Sequence, residues 1–270
     1  MLNLLSTEII AQRVFSPLYI ILDSIFIVGL LVALIVKKRY LTTLFAVFGG
    51  ILYMIVDYGI FHLLLGTRSI ENGNLFWVLL WMSMSYGITN FALIWIWLNK
   101  DKYFREFTAL IWIWWICCPM ISATFGGDMT PIKIQRTTGS YHGYMALIMI
   151  VSYVGIIIYN FTQKEKAKKF NIVWLFTLGV LAQLGWEVGL LVGGIRSAEF
   201  EPFTKIMTLI TNSLVETNLG LPAIYCIYLA LTSRYTEQLT KRGTSLAFID
   251  RLQENNLTVY KPQKLQAEKA

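Results

Sequence analysis

The chain has 270 residues, of which 56% are hydrophobic and 14% charged, with a formal net charge of +7. A water-soluble domain is about 45–50% apolar and about 25% charged, so this composition excludes one. The apolar excess falls in blocks of roughly 20 residues, enough to cross about 30 Å of hydrocarbon as helix, and the positive charge is read as loops facing anionic lipid rather than as a nucleic-acid surface.

Taken in chain order, residues 1–17 carry Glu8 and Arg13 and lack the basic start, short apolar run and small-residue cleavage site of a signal peptide. Seven spans follow, predicted at 17–36, 42–65, 75–98, 107–125, 143–161, 171–194 and 207–231. The fold class expected is an all-α integral membrane protein. Its loops alternate in charge. Lys37, Lys38, Arg39, Lys100, Lys102, Arg105, Lys164, Lys166, Lys168 and Lys169 lie on one side, and Arg68, Lys133, Arg136, Arg196 and Lys205 on the other. Ten against five puts the N-terminus outside and the C-terminus in the cytoplasm. Residues 1–235 form the transmembrane domain. Residues 236–270 form a basic cytoplasmic tail, largely disordered, with a short amphipathic piece around Leu246, Phe248, Ile249 and Leu252. Cys117, Cys118 and Cys226 have no disulfide or zinc spacing and read as packing residues. Trp112, Trp114 and Trp115 read as an interfacial belt.

Two stretches of the chain look alike. Asp57-Tyr58-Gly59 in the second span matches Glu187-Val188-Gly189 in the sixth, 130 positions later. Thr89-Asn90 in the third span matches Thr217-Asn218 in the seventh, 128 positions later. The pattern predicts two parallel three-helix repeats joined by the fourth helix, a 3+1+3 layout. Parallel repeats are a known transporter device, with the site near the repeat interface.

An ionisable residue inside a span is a functional candidate by default, because charge in hydrocarbon costs several kcal/mol. At 1.5 Å per residue, Asp23 lies roughly 9 Å and Glu216 roughly 13 Å below the outer ends of their helices. Asp57 and Glu187 lie at similar depth. No Lys or Arg lies at that depth within the spans; Arg68 and Arg196 at the outer mouth could reach down, but some of Asp57, Glu187 and Glu216 are expected to be un-ionised or to face water. An acid held un-ionised can deliver a proton, and these three are the candidate catalytic residues. Asp23 and His62 are candidate rim residues that touch substrate; Asp23 could equally be solvated at the interface, and His62 reads as a neutral hydrogen-bonding partner rather than a metal ligand. Asn90, Asn212 and Asn218 are candidates for substrate contact, with helix–helix hydrogen bonding as the alternative. Trp186, beside Glu187, is a candidate pocket wall. Pro222 should kink the last helix near Glu216, and Pro119 the fourth. No phosphate loop, hydrolase triad, metal-binding motif or retinal-type lysine occurs. No cofactor is called for, and the one metal arrangement left open is an acid-only Mg²⁺ site from Asp57, Glu187 and Glu216.

Val56-Asp57-Tyr58-Gly59-Ile60-Phe61-His62, together with Glu216-Thr217-Asn218-Leu219-Gly220 and Tyr225, resembles the seven-helix transmembrane terpene cyclases of fungal meroterpenoid and indole-diterpene pathways. That family has an acid in each of these places, and the resemblance implies that Asp57 and Glu216 protonate an epoxide or alkene of a polyprenyl substrate, with Tyr225 in the pocket. Both acids are exchanged for the other acidic type, and no Trp precedes Asp57. The 3+1+3 layout and outside N-terminus are similar to a class of sugar transporters, without their Pro-Gln signature. The sequence therefore points first to an enzyme that cyclises a lipophilic, isoprenoid-like substrate by acid initiation. The alternative is a proton-coupled small-molecule transporter.

Overall fold

A computed structural model describes residues 11–99, 101–136, 141–164, 169–196 and 202–231. The tail at 236–270 lies outside the described residues, as do Lys100, Lys166 and Lys168. The structure is mostly helical, with α1 (Pro17–Val36), α2 (Tyr40–Met54), α3 (Leu75–Leu98), α4 (Phe104–Phe125), α5 (His142–Thr162), α6 (Ile172–Val192) and α7 (Pro202–Leu229). Local chemistry sets several starts. Ser16 Oγ accepts from the Leu18 amide ahead of Pro17, Asn74 accepts from the Trp77 amide and Asn171 from the Trp174 amide, each relieving an orphan N–H of a first turn. Six of the helices are long and apolar enough to cross a membrane. The seventh, α7, is 28 residues long but interrupts its apolar run with Asn212, Glu216, Thr217 and Asn218. Pro119 and Pro222 both sit inside continuous helices.

Two features depart from the expected regular α-helices. The second span changes at Ile55 into a π-helix, Ile55–Leu64, whose wider turns carry Asp57 near their start. The loops at one end of the bundle are not irregular. β1 (Ala11–Phe15), β2 (Arg68–Glu71) and β3 (Ile132–Arg136) form an antiparallel sheet in the order β1-β3-β2. These strands precede α1, lie between α2 and α3, and lie between α4 and α5, so the sheet caps one end of the bundle. The alternation Ile132-Lys133-Ile134-Gln135 is the period-2 signal of a strand with one buried face; Ile132 and Ile134 are buried and Lys133 is exposed.

The helices pack through small residues, as expected where lipid removes any hydrophobic drive between them. A Cβ on Gly87 of α3 would meet the backbone of Gly49 and Gly50 of α2. A Cβ on Gly179 of α6 would meet Asn218 and Leu221 of α7, and one on Gly189 would meet the Trp115 carbonyl of α4. The third helix is the centre of the bundle, with 83% of its most apolar window buried, against 6% for α5. Ile25 and Val28 of α1 and Leu147, Val151 and Phe161 of α5 turn outward, as lipid-facing side chains do.

Candidate functional site

The sheet register builds a roof over the intramembrane acids. Arg68 of β2 and Arg136 of β3 are direct partners, and Ala11 pairs with Arg136, so Arg13, Arg68 and Arg136 share one face with Ile134. Arg68 Nε donates to Asp57 Oδ1 at 2.7 Å, and Arg136 donates to Asp57 Oδ2 at 2.8 Å. Arg196, just beyond α6 and bridged to Arg13 through the backbone, pairs with Glu187 Oε2 at 2.7 Å. Arg68 and Arg196 therefore do reach down to Asp57 and Glu187, which are ion-paired and not un-ionised or facing water, and Arg136 joins them. Arg68 and Arg136 sit on strands of the sheet and Arg196 follows α6, and all three turn toward the acids. Burial, and then the neighbouring Arg136 charge, pull the Arg68 guanidinium down to about 10, with Asp57 opposing. Arg13 is pulled down to about 9 by burial and by the charges of Arg136 and Arg196. Burial also works against the charge on Arg136, yet Asp57 and Glu216 outweigh it and hold its guanidinium above the ordinary value.

Beneath this roof α6 and α7 share a polar ladder. Gln183 lies one helical turn before Glu187 and reaches both acids, donating to Glu187 Oε1 at 3.2 Å and to Glu216 Oε2 at 2.7 Å. Its own carbonyl accepts from Thr217 Oγ1 at 2.8 Å and from the Tyr86 hydroxyl. Asn212 is buried beside the Glu187–Arg196 pair. The amide orientation that satisfies both its ends has Oδ1 accepting from Arg196 and Nδ2 donating to His142 Nε2 at 3.3 Å.

Glu216 differs from the other two acids. It is half-buried, no ion pair holds it among the described residues, and it lines a cleft of about 250 Å³. Phe45, Phe48, Leu52 and Tyr53 of α2, Val56 of the π-helix, Phe91 and Ile94 of α3 and Leu219, Gly220 and Ile224 of α7 form its apolar walls. Thr217 and Asn90 supply further polar groups. Neither end of the Asn90 amide has a hydrogen-bond partner among the described residues, and the residue is only 1% exposed. The cleft runs between α2–α3 and α7, and its walls continue into the exposed side chains of Phe48, Leu52 and Ile227.

The remaining sequence candidates lie elsewhere. Asp23 is not a solvated rim residue. It is buried between α1, α3 and α4 and accepts from Trp81 Nε1 at 2.9 Å and Trp114 Nε1 at 3.0 Å, sharing no partner with the other three acids. Trp114 is thus a hydrogen-bonding partner rather than part of an interfacial belt, and Trp115 is buried and donates to Thr89. His62 packs against Tyr58, and its buried Nδ1 has no protein partner. Trp186 packs edge-on to Tyr86 and Trp115 in the core and does not line the cleft. Asn218 accepts from the Tyr153 hydroxyl at 2.9 Å and donates to the Leu214 carbonyl at 3.0 Å, tying α5 to α7. Tyr225 packs on Phe170 and Tyr228, away from the cleft lining. Both Asp57 oxygens accept from arginines, and among the described residues no three His, Cys, Asp or Glu side chains gather to hold a metal ion, so the acid-only Mg²⁺ arrangement is not assembled.

Sequence reasoning missed Gln183, although its i,i+4 spacing to Glu187 was a usable signal. It also missed the cleft walls Tyr53 and Phe91, which no local pattern separates from ordinary core aromatics. The chain matches no protein-family model, no curated protein and no solved structure.

Proposed function

We propose that the protein is a multi-pass membrane enzyme in which Glu216 delivers a proton to a lipophilic, isoprenoid-like substrate held in the cleft, initiating cyclisation. The observation that carries this reading is the position of Glu216: an acid in no ion pair among the described residues, at the wall of an aromatic, apolar cleft continuous with the lipid-facing surface. Asp57 has both oxygens engaged by arginines and Glu187 is paired with Arg196, which suits them to hold the roof rather than to release a proton. Gln183 fixes one oxygen of Glu216. Phe45, Tyr53 and Phe91 offer π faces to a developing carbocation. At about 250 Å³ the cleft falls below the ~300–1,000 Å³ of sites that enclose a whole drug-sized ligand, so it takes one end of a chain whose remainder lies in lipid.

The same reading takes α7 as a seventh span, with the N-terminus outside and the C-terminus in the cytoplasm, supported by the loop charges and by the sheet capping one end. It also takes the molecule as two parallel three-helix units joined by α4. Supporting this, Gly49 and Gly179 stand 130 positions apart and each meets the next helix of its own unit, at Phe91 and at Asn218 and Leu221. Asp57 and Glu187, also 130 apart, each pair with an arginine that follows their helix. That equivalence favours one second reading, a proton-coupled transporter of 3+1+3 layout with Glu216 as its proton site.

Reconstitution separates the two. Purified protein given an epoxidised polyprenyl substrate should form a cyclised product that Glu216→Gln does not form. Proton-coupled uptake into proteoliposomes, lost in the same variant, supports the transporter instead. A Glu216→Gln protein unchanged in both assays refutes the acid site.

A further inference from the structure

We infer that Arg13 centres an anion site in the arginine roof, and that the site takes a phosphate monoester group. The inference goes beyond the cleft reading and does not depend on it.

Charge accounting within the roof singles out Arg13. A charge taken out of water is costly unless a counter-charge meets it. Arg39 meets Asp101, Arg68 and Arg136 meet Asp57, and Arg196 meets Glu187. Arg13 is buried too, at 8% exposed, yet its side chain forms no hydrogen bond or ion pair among the described residues. It is also reachable. Arg136 Nε and Arg196 Nε are fully enclosed, whereas no unpartnered nitrogen of Arg13 is, so part of its guanidinium stays accessible.

The sheet concentrates the excess charge. Arg13 bridges Arg196 through the backbone, which sets their Cα atoms about 4.5–5.5 Å apart. It stands diagonal to Arg136 on the same face, at about 7–8 Å. Glu187 and Glu216 are also within its electrostatic reach. Burial and the charges of Arg136 and Arg196 pull Arg13 down only to about 9, so it is a cation at neutral pH. Among the described residues, Arg13, Arg68, Arg136 and Arg196 face at most the three carboxylates of Asp57, Glu187 and Glu216. At least one positive charge is left over, and two when Glu216 carries its proton.

That excess selects the ligand. A neutral or cationic group leaves it in place, and a carboxylate supplies a single charge. A phosphate monoester carries about −1.5 to −2 at pH 7, which spans the excess, and its oxygens match the guanidinium fork. Depth agrees. β1 leads through Ser16 into α1, and Arg13 stands four positions before Pro17, so the roof lies just outside the ~30 Å of hydrocarbon, where lipid phosphates lie. Two sources carry the group: a lipid with a phosphate monoester head, and phosphate from the aqueous side.

The test uses the full-length protein in an uncharged, phosphate-free maltoside detergent, with ionic strength fixed by chloride. Binding of radiolabelled orthophosphate is measured by equilibrium dialysis, and of radiolabelled phosphatidic acid in mixed micelles. At least one probe should saturate at one phosphate per chain. Arg13→Met should weaken that binding roughly tenfold or more, the scale of a charge-assisted hydrogen bond. Arg105→Met, which removes an exposed charge of the same kind, should not. Arg13→Lys keeps the charge and loses the fork, so it should fall between wild type and Arg13→Met, and it decides the question if Arg13→Met does not fold. Glu216→Gln should bind phosphate at least as tightly as wild type, which keeps this test separate from the cleft chemistry. Tighter binding of phosphatidic acid assigns the site to lipid, and equal or tighter binding of orthophosphate assigns it to soluble phosphate. No saturable binding of either probe, binding unchanged by both Arg13 variants, or an equal loss in Arg105→Met overturns the inference.

Discussion

The α2–α3 pair and the α6–α7 pair share a glycine contact, an acid and a Thr-Asn step, and use them differently. Each pair closes on a glycine, Gly49 in one and Gly179 in the other. Each places an acid under the arginine roof, Asp57 and Glu187. Each carries a Thr-Asn step in its second helix. In α6–α7 that step is fully engaged: Thr217 binds Gln183, and Asn218 binds Tyr153 and Leu214. In α2–α3, Thr89 turns back to its own helix, and the buried Asn90 amide beside the cleft has no partner among the described residues. Conversely, α7 offers Glu216 to the cleft, and the matching place 128 positions earlier in α3 holds Ile88. The difference teaches that neither pair is a site by itself. One contributes an amide and the other an acid, and the pocket forms where they meet.

The most severe way to break the comparison is at the ion pairs. Asp57→Leu leaves Arg68 and Arg136 buried without their counter-ion, and removing one partner of a buried pair costs about 3–5 kcal/mol. Thermal unfolding in detergent should show this as the largest loss among these variants. Next come the helix contacts. Gly87→Val must push α3 away from the Gly49–Gly50 backbone of α2, an overpacking cost of about 1–3 kcal/mol, read by the same assay.

The two asparagines give the sharpest contrast. Asn218→Leu strands the Tyr153 hydroxyl and crowds Gly179, so a loss of about 1–3 kcal/mol is expected. Asn90→Leu removes two groups that have no partner among the described residues, so stability should stay level or rise. Equal losses at the two positions would erase the distinction between scaffold and site. The smallest effect belongs to Arg13, for which no carboxylate lies within ion-pair distance among the described residues and which stands among like charges. Arg13→Met should be neutral or slightly stabilising, whereas Arg196→Met, which strips Glu187 of its partner, should destabilise.

Much of the helical frame was legible in the sequence. Six spans begin and end within a few residues of their predicted limits, because a 20-residue apolar block has few alternatives to a helix. The sheet was not legible. Its strands are only four or five residues long, and each gains its partner from a loop some 60 or more residues away. Arg68 and Arg196 were legible as arginines near the mouth, but which acid each meets, and that Arg136 joins Arg68 on Asp57, depends on the strand register. Glu216 stood out as a buried acid, but nothing local distinguished it from Asp57 or Glu187. The distinction lies in which acid forms no ion pair with the roof arginines among the described residues. Asn90 and Asn218 were likewise indistinguishable, because satisfaction of an amide depends on Tyr153, a residue in a different helix.

The central claim is that Glu216 supplies the chemistry while the roof acids hold the structure. It is tested most directly by measuring, on one nanodisc preparation, cleft occupancy by a lipid probe and product formation from an epoxidised polyprenyl substrate, for wild type and Glu216→Gln. The account predicts unchanged probe binding and loss of product in Glu216→Gln. Product formation at the wild-type rate with Glu216 replaced would contradict it.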